Sequence, residues 1–345
     1  MTGRRMQRSA YTRRVAVLLA VVGGGLLAGV SGFAQAGGQR PAAQPQIDFN
    51  AVTVRSFKVQ GSIYMLAGAG GNVTLQVGDD GLLVVDTQYA QMADKLLAEI
   101  KRIAGNTPIR FVINTHVHGD HTGGNEKFRQ AGRAIIAGNV VMDVRDSGAA
   151  IIAHENVQNR MVQTTPGQPA TPAGALPTET FFGDEDELFF DNEALQLVHI
   201  PAAHTDGDVM VFFRKSDVIS TGDVYVNTGY PVIDIPRGGT INGIIAGLNR
   251  IIAITVPRDK QEGGTMVIPG HGRIADEADV VEYRDMVTII RDRMQEMIAK
   301  KMTIEQVRAA KPTSDYDGRY GATSGFWTTD QFVDAVYRTL QEGQK

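Results

Sequence analysis

The residues Thr115-His116-Val117-His118-Gly119-Asp120-His121-Thr122-Gly123-Gly124 place three imidazoles and a carboxylate at the end of an apolar run over 109–114. In an extended turn, His116 and His118 project to one side and can reach a single cation, while Asp120 and His121 aim at a neighbouring point. The glycines allow a sharp turn, and Gly123 and Gly124 open a predicted helix whose N-terminus favours negative charge. A solvated polar loop is the alternative reading. It is a poor one, because the chain has seven histidines and three stand within this turn.

Three later fragments add donors of the same kind, each just past an expected strand: Ala203-His204-Thr205, Gly222-Asp223-Val224 and Pro269-Gly270-His271-Gly272. A single histidine after a strand is more often a capped loop residue than a ligand. Beside the cluster, the three together supply what a two-metal site still lacks. Two other histidines are set aside. His154 lacks the second histidine of a helical zinc motif and reads as a helix-surface or capping residue. His199 lies in a strand and reads as a hydrogen-bonded residue at the core edge.

Around these motifs the order of elements is that of a layered α/β protein. Short β-type runs occupy 62–67, 72–77 and 82–86, with Asp79-Asp80-Gly81 as a hairpin turn. Helical spacing of Met92, Leu96, Leu97 and Ile100 follows over 89–104, then the strand before the cluster and a helix at 124–130. A strand is expected at 134–137 and helical segments between 139 and 163. The proline- and threonine-rich stretch 164–177 reads as a loop or lid over the site. Strands resume at 180–182, 188–190, 195–200, 209–213 and 218–220, then a helix at 241–255 and a strand at 266–269. A long amphipathic helix over 276–300 and shorter ones at 303–310 and 329–341 close the chain, with Phe326 and Trp327 as a clamp for the last.

The histidine stretch, the later histidine, the aspartate after a strand and the final Gly-His resemble, in order from Gly61 to His271, the metallo-β-lactamase superfamily. The resemblance implies a four-layer αββα sandwich of that type, with metals in a cleft at the sheet edges. It implies His116, His118 and His204 as ligands of one metal and Asp120, His121 and His271 of the other, with Asp223 bridging both and Asp86 orienting the cluster from behind. Imidazoles and carboxylates suit two zinc ions, with iron or manganese as alternatives. Such a pair can activate one shared hydroxide against a carbonyl, with Asp120 as a further catalytic group that orients it or moves its proton. The expected activity is therefore a binuclear zinc-dependent hydrolase of a small lactam, lactone, thioester or similar molecule. An iron-dependent persulfide-oxidising enzyme, a phosphodiesterase and a non-catalytic carrier of the same fold are the competing readings. Where a cysteine-ligand β-lactamase has cysteine this chain has Asp223, and where that subclass has a drug-anchoring lysine it has Val226, which speaks against efficient β-lactam hydrolysis. Ala203 also stands where a glycine is common. Tyr225, Asn227 and Tyr230, in the loop after the bridging carboxylate, are candidate substrate contacts.

Composition narrows the setting. Residues 1–36 carry five arginines, no acid and an apolar run, the outline of a secretory signal, with an uncleaved anchor as the alternative. Its removal moves the formal charge from −4 to −9, which disfavours a nucleic-acid partner. A periplasmic or secreted enzyme, off the membrane once the signal is cleaved, is the expectation. Residues 37–47 read as a flexible leader, 48–275 as the hydrolase domain and 276–345 as a helical extension packed on it. The chain has no cysteine, so neither disulfides nor thiolate ligands contribute.

Overall fold

Leu82-Leu83-Val84-Val85 is apolar at every position because its strand is covered on both faces, and the architecture follows from that requirement. The computed structural model describes residues 47–135, 148–163 and 169–342, all within one compact unit, Gln44–Lys345. Seven strands lie side by side in sequence order: β1 (Arg55–Lys58), β2 (Ile63–Ala67), β3 (Val73–Val77), β4 (Leu82–Val85), β5 (Ile109–Ile113), β6 (Ala150–His154) and β7 (Glu179–Phe181). The first four form an antiparallel meander and the last four run parallel. A second sheet has the order β12-β11-β10-β9-β8, from β8 (Glu185–Phe190), β9 (Glu193–Ile200), β10 (Asp208–Phe213), β11 (Val218–Ser220) and β12 (Met266–Ile268). Only β11 and β12 pair in parallel there.

Period-two alternation sends successive side chains into different layers. Leu83 and Val85 meet Leu195, Leu197, Val209 and Val211 between the sheets, whereas Val84 faces outward. That outer face is covered by Leu96 and Ile100 of α1 (Ala93–Ala104), with Phe128 of α3 (Asn125–Ala131). On the other side Val198, Met210 and Ile219 pack under α5 (Ile241–Ile254), α6 (Glu277–Ala299) and α9 (Thr329–Glu342). The layers are thus helix, sheet, sheet, helix, as expected. The terminal helices share one apolar cluster with the second sheet through Val280, Tyr283, Phe332 and Val336. No helix among the described residues is long and apolar enough to cross a membrane.

The structure departs from the sequence reading over 139–163. Residues 150–154 form the buried strand β6, followed by the one helix described there, α4 (Glu155–Met161). A short run such as Ala150-Ile151-Ile152-Ala153 has no diagnostic period, and a parallel slot between β5 and β7 decides it. Ala134 and Ile135 lie in no strand. Residues 136–147 fall outside the described residues, as do the expected signal and all of the leader except Ile47. Of the expected lid, 164–168 lie outside as well. The remainder packs beside α3 and α4, where Ala175 O accepts from Asn125 Nδ2 at 3.0 Å and Thr171 donates to Met161 O at 2.7 Å.

Candidate metal centre

Strand ends bring the donors together. The turn carrying His116 to His121 leaves β5, His204 follows β9, Asp223 follows β11 and His271 follows β12. Because β9 and β11 both run against β10, and β12 runs with β11, the last three elements leave the second sheet at the same end. Asp86 ends β4 with φ +64°, a left-handed conformation that costs a non-glycine residue about 1 kcal/mol or more. The surroundings hold it there. Asp86 accepts from Thr115 N (2.8 Å) and Thr115 Oγ1 (2.7 Å), and His121 Nδ1 stands 2.7 Å from its Oδ2.

Those contacts fix where the lone pairs point. The Thr115 hydroxyl spends its proton on Asp86, so at 3.0 Å it accepts from His116 Nδ1, which leaves His116 Nε2 as a bare lone pair. His204 Nδ1 donates to Val232 O at 2.8 Å, and His118 Nε2 donates to Asp234 Oδ2 at 2.8 Å. The remaining nitrogens of His118 and His204 consequently face each other at 2.8 Å, where a shared proton or a metal ion beside them relieves the repulsion of their lone pairs. His116 Nε2 and Asp223 Oδ1 are buried with no hydrogen-bond partner. Unsatisfied buried donors and acceptors are costly in an ordinary core and are what a metal ligand set looks like without its ion.

Spacing agrees with that chemistry. Among the described residues, three groups have donor atoms within 4.8 Å of one another: His116, His118 and His204; His116, His121 and Asp223; and Asp120, His121 and His271. Zinc with ligands at about 2.0–2.1 Å in a tetrahedron separates its donors by about 3.3 Å. His121 Nε2 lies 3.3 Å from His271 Nε2 and 3.3 Å from Asp223 Oδ1, and His271 Nε2 lies 3.3 Å from Asp120 Oδ2. Asp223 divides its oxygens: Oδ2 faces His204 (3.6 Å) and His116 (3.9 Å), and Oδ1 faces His121 and His271 (3.5 Å). Each oxygen of Asp223 thus faces a different pair of imidazoles. The structure therefore brings all seven sequence-derived ligands into one cluster, with Asp86 behind it. The cradle has no spare room, since a Cβ on Gly270 would lie 2.0 Å from Asp223 Oδ1.

Burial pushes His116 far down and His204 down to about 4, so both are neutral ligands at neutral pH. Burial also opposes charge on His121 and His271, but Asp223 with Asp86 or Asp120 outweighs it and raises both, far above the ordinary value for His121. Asp223 is held well below the carboxylate range: desolvation resists, and the His271 and His121 charges prevail. The carboxylates thus favour the protonated forms of His121 and His271 in the metal-free protein, and a metal bound there competes with those protons. Zinc binding at pH 7 is accordingly expected to release protons and to tighten as pH rises. Calorimetric titration in buffers of different ionisation enthalpy measures this, and a buffer-independent heat would contradict it.

Four of the five imidazoles have their second nitrogen anchored, which orients them for a metal. One anchor, Asp234, escaped the sequence reading. Burial works against its charge, but hydrogen bonds from His118 and Arg237 hold its carboxyl well below the usual range. Its Oδ1 caps the turn Ile235–Arg237 while Oδ2 holds His118. Asp-Ile-Pro-Arg signals only the cap. The polar scaffold Thr87, Asn114 and Asn125, knitted at 2.8–3.0 Å beneath the cluster, was equally silent.

The three candidate substrate contacts separate. Tyr225 is 1% exposed and packs edge-on against Tyr283, so it belongs to the core. Asn227 staples the His271 turn instead of facing substrate: its amide donates to Arg273 O (2.9 Å) and its Oδ1 accepts from Arg273 N (3.0 Å). Tyr230 offers its ring to the cavity, but its hydroxyl turns away to Asp317 (2.8 Å) and Thr313 O (3.2 Å). His154 caps α4, accepting from Asn156 N, and its ring stacks 3.7 Å from that of His199, which bonds Asp206 O at 2.8 Å. A cavity of about 610 Å3 opens over the cluster, with His118, Asp120, His204, Asp223 and His271 in its floor. The described part of the 164–177 stretch does not line it.

Fold and site together define an αββα sandwich with a cluster of imidazole and carboxylate donors able to hold metal. The sequence over residues 66–249 matches the family model of the metallo-beta-lactamase superfamily, and the chain belongs to that superfamily. It is similar to a hydroxyacylglutathione hydrolase of Pelagibacter ubique (strain HTCC1062), 23% identical over 42% of this chain and 46% of that one. It is also similar to a linear primary-alkylsulfatase of Pseudomonas sp. (strain ATCC 19151), 22% identical over 66% of this chain and 47% of that one. The chain therefore spans just under half the length of these curated relatives. Among solved structures, the DIM-1 metallo-beta-lactamase matches with TM-score 0.51 and 16% identity, over 69% of this chain and 98% of that one. The sec-alkylsulfatase Pisa1 from Pseudomonas sp. matches with TM-score 0.58 and 16% identity, over 84% of this chain and 50% of that one. The named relatives are hydrolases, and at these identities the solved structures establish the fold alone.

Proposed function

We propose that this protein is an exported binuclear zinc-dependent hydrolase of a small carbonyl-type substrate, an ester, lactone, thioester or lactam. The observation that carries the reading is the division of Asp223, one oxygen toward His116 and His204 and the other toward His121 and His271. Two divalent ions bound there supply Lewis acidity and a water acidified from about 15.7 toward about 7, so no serine or cysteine nucleophile is needed. The chain's own residues do the rest. Asp86, Asp234, Thr115 and the Val232 carbonyl hold the imidazoles in their metal-facing tautomers. Asp120, 22% exposed at the cavity floor and held ionised by His271 and His121 against its burial, is placed to accept a proton from an attacking water and return it to the leaving group.

Val226 lines the cavity where a drug-anchoring lysine would be needed, which favours neutral esters and lactones over β-lactams. The hydrolase relatives support the hydrolytic reading over a redox one. Zinc-loaded protein assayed against chromogenic esters, lactones, thioesters, lactams, phosphodiesters and sulfate esters tests it. Turnover of a carbonyl substrate that is lost on chelation and regained with zinc is expected. Oxygen consumption with bound iron, or hydrolysis confined to phosphate or sulfate esters, would overturn it.

A further inference from the structure

The cavity over the metal donors is unequal in its two halves. The metal donors supply its charged groups, and the rest of its lining is uncharged, with Tyr320, Phe326 and Trp327 of the C-terminal extension beside Tyr89, Val226 and Val232. Among the described residues, no lysine or arginine lines it. The arginines of the bordering loops are already committed. Arg237 pairs with Asp234 at 2.7 Å, Arg273 grips Asp279 through both terminal nitrogens at 2.5 and 2.9 Å, and Arg319 pairs with Glu282. A carboxylate, sulfate or phosphate on the far arm of a substrate would enter this half with no counter-charge, at a desolvation cost that apolar walls do not repay.

The wall is also held in place independently of any ligand. Trp327 Nε1 donates to Pro231 O at 3.1 Å, and Tyr230 is stacked on Phe332 at 4.6 Å with its hydroxyl tied to Asp317. Phe326 remains 69% exposed at the mouth, an uncovered ring beside an apolar slot. The volume, about 610 Å3, is in the range of a drug-sized ligand and exceeds what a short acyl group fills.

We infer that the helical extension makes the substrate-selecting half of the site, and that the substrate is a neutral ester or lactone whose non-reacting arm is an uncharged apolar chain seated against Phe326 and Trp327. The inference rests on the hydrolase reading for the bond that is cut, but not for the binding of the arm. Trp327 is the single tryptophan of the chain, so its fluorescence reports the wall directly.

The test titrates the full chain, zinc-loaded and metal-free, with 2-undecanone, a neutral chain that cannot be hydrolysed, and compares turnover of two p-nitrophenyl esters of equal acyl length, one of them carrying a carboxylate at the far end of the acyl chain. A saturable blue shift with the ketone in both forms, weakened at least tenfold by Phe326→Ala, and kcat/KM at least tenfold lower for the ester with the far carboxylate, are expected. No saturable response to the ketone, or equal kcat/KM for the two esters, would overturn the inference. In turnover, kcat/KM for p-nitrophenyl esters is expected to rise about fourfold per methylene until the slot is full, as burial of each CH2 predicts. Phe326→Ala should flatten that slope, and because the ring is exposed its removal does not threaten the fold. Turnover with no dependence on chain length would sink the inference and leave the hydrolase standing. A normal fluorescence response with no carbonyl turnover would do the reverse.

Discussion

Asp223→Ala in zinc-loaded protein is expected to lower kcat/KM by about a thousandfold or more, equivalent to about 4 kcal/mol of transition-state stabilisation. The size of the effect follows from the division of its oxygens. Oδ2 stands with His116 and His204 and Oδ1 with His121 and His271, so one truncation removes a donor from both halves of the cluster. Metal content should fall together with rate, to one equivalent or fewer. Asp223 is also the negative charge that raises His121 and His271, so the variant's proton release on zinc binding should shrink as well. Steady-state kinetics beside metal analysis checks this. A variant that keeps more than a tenth of the activity with both metals bound would show that Asp223 is not shared.

The second large effect is expected at a residue that touches no metal. Asp86 is 2% exposed and receives Thr115 N, Thr115 Oγ1 and His121 Nδ1. Asp86→Ala leaves buried donors without acceptors, at about 1–3 kcal/mol each, and leaves the Thr115 hydroxyl free to reorient. We expect a stability loss of about 3 kcal/mol in the metal-free protein, read by denaturant unfolding, and zinc affinity weaker by about 10- to 100-fold. The two losses have one cause. Without Asp86 nothing obliges His121 to present Nε2, and His116 loses the hydroxyl acceptor that fixes its tautomer. Unchanged affinity in a merely less stable protein would limit Asp86 to a structural role.

Much of this was legible in the sequence because metal chemistry demands rare residues at fixed spacing. His116, His118, Asp120 and His121 announce themselves, and His204, Asp223 and His271 become credible once each is seen to follow a strand. Strand alternation was readable too, since Leu195 and Leu197 must face one way and Val198 and Ile200 the other. What escaped is what depends on the third dimension. β6 looks like helix until its parallel neighbours are known. Asp234 looks like a turn cap until His118 arrives from 116 residues away. Tyr225 and Asn227 look like substrate contacts because they follow the bridging aspartate, yet one is core and the other fastens the His271 turn. The role of Trp327 was half visible: it packs against the C-terminal apolar cluster and also walls the cavity.

The central claim is that seven side chains from four separate stretches of chain hold two cations. Its most direct test is the number of zinc ions bound per chain after metal stripping, saturation at micromolar zinc and removal of the excess. Two per chain in the native protein, with neither retained tightly once His116 and His121 are both replaced by alanine, is the predicted result. Saturation at one or none in the native protein, or two in the double variant, would contradict it.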